Sequence, residues 1–107
     1  MIYIASPFRT HDEKVEESRV EAAEKYVAAL IEMSLIPFSA VVYAAALIKK
    51  HELTSDLGYW KKFLYEFLKS ANEVHVLKIA GWEDSEGIDW EIEMARELDI
   101  SVVYIDI

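Results

Sequence analysis

Short apolar or β-branched runs alternate along this chain with longer segments whose apolar residues recur every three to four positions, and that order leaves few possible folds. Ile2 to Ala5 reads as a buried strand, ended by Ser6-Pro7 because proline cannot continue a central ladder. From about His11 to Ser34 the spacing of Ala23, Val27, Leu30 and Ile31 predicts a long helix. Asp12, Glu13, Glu16, Glu17, Glu21 and Glu24 crowd its first turns, where negative charge is favoured, and form a solvated face. Leu35 to Ser39 is a second strand, placed at an edge by Pro37, and Val41 to Lys50 reads as a helix. Asp56 precedes Leu57, Trp60, Leu64, Phe67, Leu68 and Ala71, the spacing of an amphipathic helix. Glu73 to Ile79 is a third strand, Gly81 to Gly87 a loop, Ser85 to Leu98 a further helix, and Ser101 to Ile107 a closing strand of β-branched residues.

Strands alternating with helices in this way imply a parallel sheet with right-handed crossovers and helices on both faces. The expected fold is α/β, a three-layer doubly wound sandwich of four to five parallel strands, flavodoxin-like or Rossmann-like. With 107 residues, 53% of them hydrophobic, the chain closes one core and forms a single domain over 1–107. Ligands of such sheets bind beyond the carboxyl ends of the strands, near the switch in strand order. Ser6-Pro7-Phe8-Arg9, Phe38-Ser39 and the Gly81 to Gly87 loop should therefore converge there.

One carboxylate breaks the pattern. In the helix from Ser85 to Leu98 the inward stripe is Ile88, Glu91, Ile92, Ala95 and Leu98, whereas Asp89, Glu93, Arg96 and Glu97 fall on the solvated face. A carboxylate on an inward face costs several kcal/mol unless it is paired or lines a pocket. Near a helix start the macrodipole favours an anion by ~0.3 to 1 kcal/mol, so Glu91 reads as a held, ionised glutamate. Its plainer reading is a helix-initiating acid that points sideways.

Charge and composition exclude other classes. With 11 basic and 20 acidic residues, a formal charge of −9, the chain lacks the clustered Lys and Arg that nucleic-acid polymers and anionic membranes require. No stretch approaches the ~20 apolar residues of a membrane span, no signal segment opens the chain, and a cytoplasmic setting is the default. With no cysteine there is no disulfide framework or thiol nucleophile. His11, His51 and His75 lack metal-ligand spacing, and no dinucleotide or phosphate-loop motif is present, so neither metal nor cofactor is expected. Trp60 fits a core stripe, while Trp82, in the loop, is the better candidate for stacking on a ligand.

Ile2-Tyr3-Ile4-Ala5-Ser6-Pro7, the Trp60 helix, the third strand, and Gly81-Trp82, Ser85, Gly87, Glu91 and Ala95 together resemble the nucleoside 2-deoxyribosyltransferase-like superfamily, in particular its short phage and prokaryotic members of unassigned function. The resemblance spans nearly the whole chain. It implies that Glu91, four residues after Gly87, is the nucleophile that attacks the anomeric carbon of a nucleoside or nucleoside 5′-monophosphate, and that Tyr3 holds it by a hydrogen bond. A nearby carboxylate stabilises the oxocarbenium-like state of N-glycoside cleavage and can trap it covalently. Base-exchanging members carry an aspartate where this chain has Ser85, so adjacent Asp84 is the candidate for assisting the departing base. Ser6, Arg9, Ser85 and Gly87 are the expected sugar or phosphate contacts, with Trp82 beside the base. Asn72 replaces an acid common in the family just before the third strand. The implied activity is N-glycosidic cleavage or deoxyribosyl transfer without a cofactor. The rival is a non-catalytic module that binds a nucleotide or sugar phosphate.

Apolar surface left over on Val41 to Ile48 and on Tyr59-Trp60-Phe63 further predicts a homodimer or a multiple of one, with the Val41 to Trp60 region bordering the partner's cleft. The cleft around Ser6, Trp82 and Glu91 is expected to be shallow.

Overall fold

Four strands, β1 (Ile2–Ala5), β2 (Pro37–Ser39), β3 (Glu73–Leu77) and β4 (Ser101–Ile105), form one sheet in the order β2-β1-β3-β4, and every pair is parallel. The computed structural model describes residues 1–107. Helix α1 (Glu13–Glu32) links β1 to β2, α2 (Ala40–His51) and α3 (Leu57–Lys69) link β2 to β3, and α4 (Glu86–Glu97) links β3 to β4. The chain therefore leaves β1 toward one edge of the sheet and β3 toward the other. The switch in strand order lies between these two neighbours.

Alternation along the strands separates two cores. Tyr3, Ala5, Val74 and Val76 face Leu68 of α3 and Ile88 and Ala95 of α4. Ile4 and Leu77, on the opposite face, pack on Ala23 and Leu30 of α1. Helix, sheet and helix thus make the three layers of a doubly wound, flavodoxin-like sandwich with four strands. Full burial of a Leu, Ile or Val side chain contributes roughly 1.5–3 kcal/mol, so Ile4, Val74, Val76 and Leu77 of the two central strands each add substantially to stability.

Each helix begins where a short polar side chain takes a free amide. Asp12 accepts from Lys14 and Val15, Ser39 from Val42, Asp56 from Tyr59 and Ser85 from Ile88, contacts worth ~1 kcal/mol each. Asn-like left-handed turns at Ser34, Glu52 and Asp99 end or follow three of the helices. His75 lies on the α1 face, with Nδ1 2.7 Å from the Tyr26 hydroxyl and Nε2 3.0 Å from Glu73 Oε1, a fully partnered strand histidine.

Differences from the sequence reading are confined to ends and one helix face. Helix α1 spans less than His11 to Ser34, because Asp12 is its cap. Strand β2 starts at Pro37, β3 stops at Leu77 and β4 at Ile105, and Lys78 N still donates to Ile105 O at 2.9 Å as the strands part. Ile31, read as inward, is 58% exposed because Leu30 fills the inward position at that turn and the next residue lies about 100° around the helix. No helix is long and apolar enough to cross a membrane.

Candidate functional site

Glu91 stands on the stripe of α4 that packs against the sheet, between Ile88 and Ala95, and is only 5% exposed. Tyr3, in the middle of β1 and fully buried, donates its phenol proton to Glu91 Oε2. The Tyr3 ring lies 5.7 Å from that of Phe38 in β2, so strand pairing and packing fix the donor in place. No lysine or arginine pairs with Glu91.

That isolation sets its charge. Burial pushes the Glu91 carboxyl up to about 8, and the Tyr3 hydrogen bond, which acts in the opposite direction, offsets only part of this. The glutamate is thus mostly protonated at neutral pH, a correction to the ionised state read from sequence. One phenol and a helix start do not replace the hydration of a carboxylate. The Tyr3 phenol is itself raised well above its ordinary value, by burial first, then by the charge of Glu91 and the shared hydrogen bond, so it remains a donor.

Above Glu91 opens a cavity of about 670 Å³ at the switch between β1 and β3. Its volume falls within the range of small-molecule sites. Ser6, Arg9 and Thr10 line it from the loop after β1, and Asp84, Ser85 and Gly87 from the loop before α4. Val41, Ala44 and Ile48 of α2 with Trp60 and Leu64 of α3 form the apolar wall. Helices α2 and α3 thus wall one side of the cleft expected around Ser6 and Glu91.

The polar groups differ in how far the fold already uses them. Ser6 Oγ, on a residue 6% exposed, has no hydrogen-bond partner. Ser85 Oγ accepts from Ile88 N at 3.2 Å and caps α4. Arg9 Nε lies 3.4 Å from Glu16, whose carboxylate also accepts from Thr10 N at 3.0 Å, so Arg9 is tethered above the cavity. Asp84 is exposed on the rim, at the end of the 3₁₀ turn Trp82–Asp84.

Arg19 joins the two loops. Its Nη1 donates to Phe8 O and Arg9 O, each at 3.3 Å, and Nη2 to Ala80 O at 3.1 Å. One side chain thus ties the ends of β1 and β3 across the switch point. Gly81 makes this possible: its φ is +94°, and a Cβ there would lie 2.3 Å from Arg19 Nη2.

Of the residues singled out from sequence, Glu91, Ser6, Arg9, Asp84, Ser85 and Gly87 meet in the cavity, with Tyr3 directly behind Glu91. Trp82 does not. It packs toward the β4 side, its ring 5.7 Å from Tyr104, because the 3₁₀ turn carries it away from the cleft. Trp60 lines the cavity instead, while its Nε1 donates to Thr54 O at 2.7 Å. Arg19, missed from sequence, had a legible signal: it lies four residues before Ala23 on the inward stripe of α1, as Glu91 lies four before Ala95.

Fold and site define a doubly wound α/β domain with a ligand-sized cleft at its switch point and a buried glutamate in that cleft. The chain belongs to the family described as a domain of unknown function (DUF1937), whose model matches residues 1–106. A search of curated proteins gives no match.

Proposed function

We propose that the protein cleaves, or transfers the deoxyribosyl group across, the N-glycosidic bond of a nucleoside or nucleoside 5′-monophosphate, with Glu91 as nucleophile. The carrying observation is a buried carboxyl, held by one phenol and paired with no cation, in a ligand-sized cavity. Such a group forms a bond to an electrophilic carbon once ionised, and its burial excludes competing water. In this reading Tyr3 orients Glu91, Asp84 assists the departing base, and Ser6, Ser85, Gly87 and Arg9 hold the sugar side. Trp60 takes the place proposed for Trp82 beside the base. The resemblance of the ordered motifs to the nucleoside 2-deoxyribosyltransferase-like superfamily supports the same assignment.

The test is a screen of nucleosides and monophosphates for released base, with Glu91→Gln as control. Release that depends on Glu91 is expected. Release unaffected by the substitution overturns the mechanism.

One observation favours a second reading, a non-catalytic module for a nucleotide or sugar phosphate: Glu91 is mostly protonated at neutral pH and Ser85 is occupied as a helix cap. Calorimetry that shows binding, with no base released on long incubation, selects it. We further propose a cytoplasmic setting and a homodimer, the latter supported by Tyr43 and Tyr59, which are 49% and 57% exposed on α2 and α3.

A further inference from the structure

Two buried side-chain polar atoms in the protein have no hydrogen-bond partner, Ser6 Oγ and Arg19 Nε, and both residues line the cavity. Ser6 follows β1 directly, and the Arg19 guanidinium reaches the same end of the sheet from α1. Its three hydrogen bonds run to backbone carbonyls, which orient the group without cancelling its charge. No carboxylate pairs with Arg19, whereas Arg9, the other arginine of the cavity, is exposed and shares Glu16. The acids along the cavity lie in water: Asp56, Asp84 and Glu86 are all exposed, and Asp56 is occupied as the cap of α3. Solvent screens exposed charges far more than buried ones, so the guanidinium dominates the β1 end of the cavity. A buried donor without an acceptor is costly, and two of them in one cavity wall mark a place that the oxygens of a ligand complete.

Resting on the glycosidic reading, we propose that Arg19, with Ser6, is the residue that selects the substrate: it binds a phosphate carried on the sugar and makes the nucleoside 5′-monophosphate, not the free nucleoside, the molecule presented to Glu91. Arg19 Nε–H and the Ser6 hydroxyl donate to phosphate oxygens, and the guanidinium supplies the opposite charge. Three carbonyls already fix that guanidinium, so little side-chain freedom is lost when the ligand arrives. The neutral 5′-hydroxyl of a nucleoside meets none of this charge. Arg9, partly neutralised by Glu16, adds a weaker pull from the exposed side. Binding energy gained at a phosphate that does not react is thereby spent on holding the anomeric carbon at Glu91.

The experiment compares 2-deoxyribose 5-phosphate with 2-deoxyribose, probes that contain no glycosidic bond, by calorimetry, and follows base release from the 2′-deoxynucleosides and their 5′-monophosphates by chromatography. The phosphorylated sugar is expected to bind tighter by about tenfold or more, the worth of one hydrogen bond between charged groups. Arg19→Gln and Ser6→Ala should each lower that preference several-fold, and Arg9→Gln should lower it less than Arg19→Gln does. Thermal unfolding checks that the variants are folded. If Arg19→Gln unfolds the loops it ties, Arg19→Lys, which keeps the charge but not the Nε–H donor, and Ser6→Ala, which removes a hydroxyl without a partner, decide the matter by the same loss of preference. Equal binding of the two sugars, no binding of either, or a preference that survives at both Arg19 and Ser6 overturns the proposal. Two outcomes separate it from the glycosidic reading: phosphate-dependent binding lost in these variants, with no base released from any monophosphate, refutes the cleavage alone, whereas Glu91-dependent release as fast from nucleosides as from monophosphates refutes the phosphate selection alone.

Discussion

Tyr3 and Glu91, 88 residues apart in the chain, meet in a single buried hydrogen bond that joins the central strand to the helix over it. Replacing Tyr3 by Phe keeps the ring against Phe38 and removes the donor. Because that hydrogen bond lowers the Glu91 pKa, its loss should raise the value further. We expect the rise of base release with pH to move to higher pH, and stability to fall by about 1–3 kcal/mol, the usual cost of leaving a buried polar group unpaired. A pH–rate profile and urea unfolding measure the two effects.

Glu91 also makes stability depend on pH, and the sign follows from its raised pKa. Between the ordinary value of 4.5 and about 8 the folded protein holds a proton that the unfolded chain has released. Stability is therefore greatest below that window and falls as pH rises through it, by at most about 1.4 kcal/mol per unit. Glu91→Gln, which cannot titrate, should flatten this slope between pH 5 and 8. Urea midpoints of both proteins at three pH values suffice to check it, and parallel slopes would sink the account of Glu91 as a buried acid.

Much of this site was legible because the fold places strand ends and helix stripes by simple periodicities. Glu91 stood out as a carboxylate at an apolar position, and the loops after β1 and before α4 follow from strand order. Its protonation did not, because a pKa depends on what fails to surround a group, and sequence spacing does not show the absence of a cation. Trp82 was misplaced for a local reason: a 3₁₀ turn, invisible to hydrophobic periodicity, reverses the loop. Arg19 was hidden by the charged residues around it on α1, although its place on the Ala23 stripe marked it.

The Arg19 strap predicts an unusual sensitivity at Gly81. Alanine there must hold a positive φ and displace the Arg19 guanidinium, so Gly81→Ala should lower stability by more than about 1 kcal/mol and weaken ligand binding together. Gly87→Ala, whose Cβ would meet Ser85 Oγ at an ordinary 3.7 Å, should be much milder for stability. Thermal unfolding of the two variants side by side gives the comparison.

A homodimer would cover the exposed tyrosines of α2 and α3. Light scattering at micromolar concentration should then give twice the chain mass of 12.3 kDa, and Tyr43→Glu with Tyr59→Glu should halve it. A monomer that retains full activity would remove the dimer from the account.

The most direct measurement concerns Glu91 itself. Incubation with a 2-fluoro-2-deoxy nucleoside, which slows breakdown of a glycosyl ester, followed by intact and peptide mass analysis, should show one sugar-sized addition on the peptide carrying Glu91. Glu91→Gln should show none. An active protein that releases base with no such adduct, and at the same rate after Glu91→Gln, would contradict the role assigned to the buried glutamate.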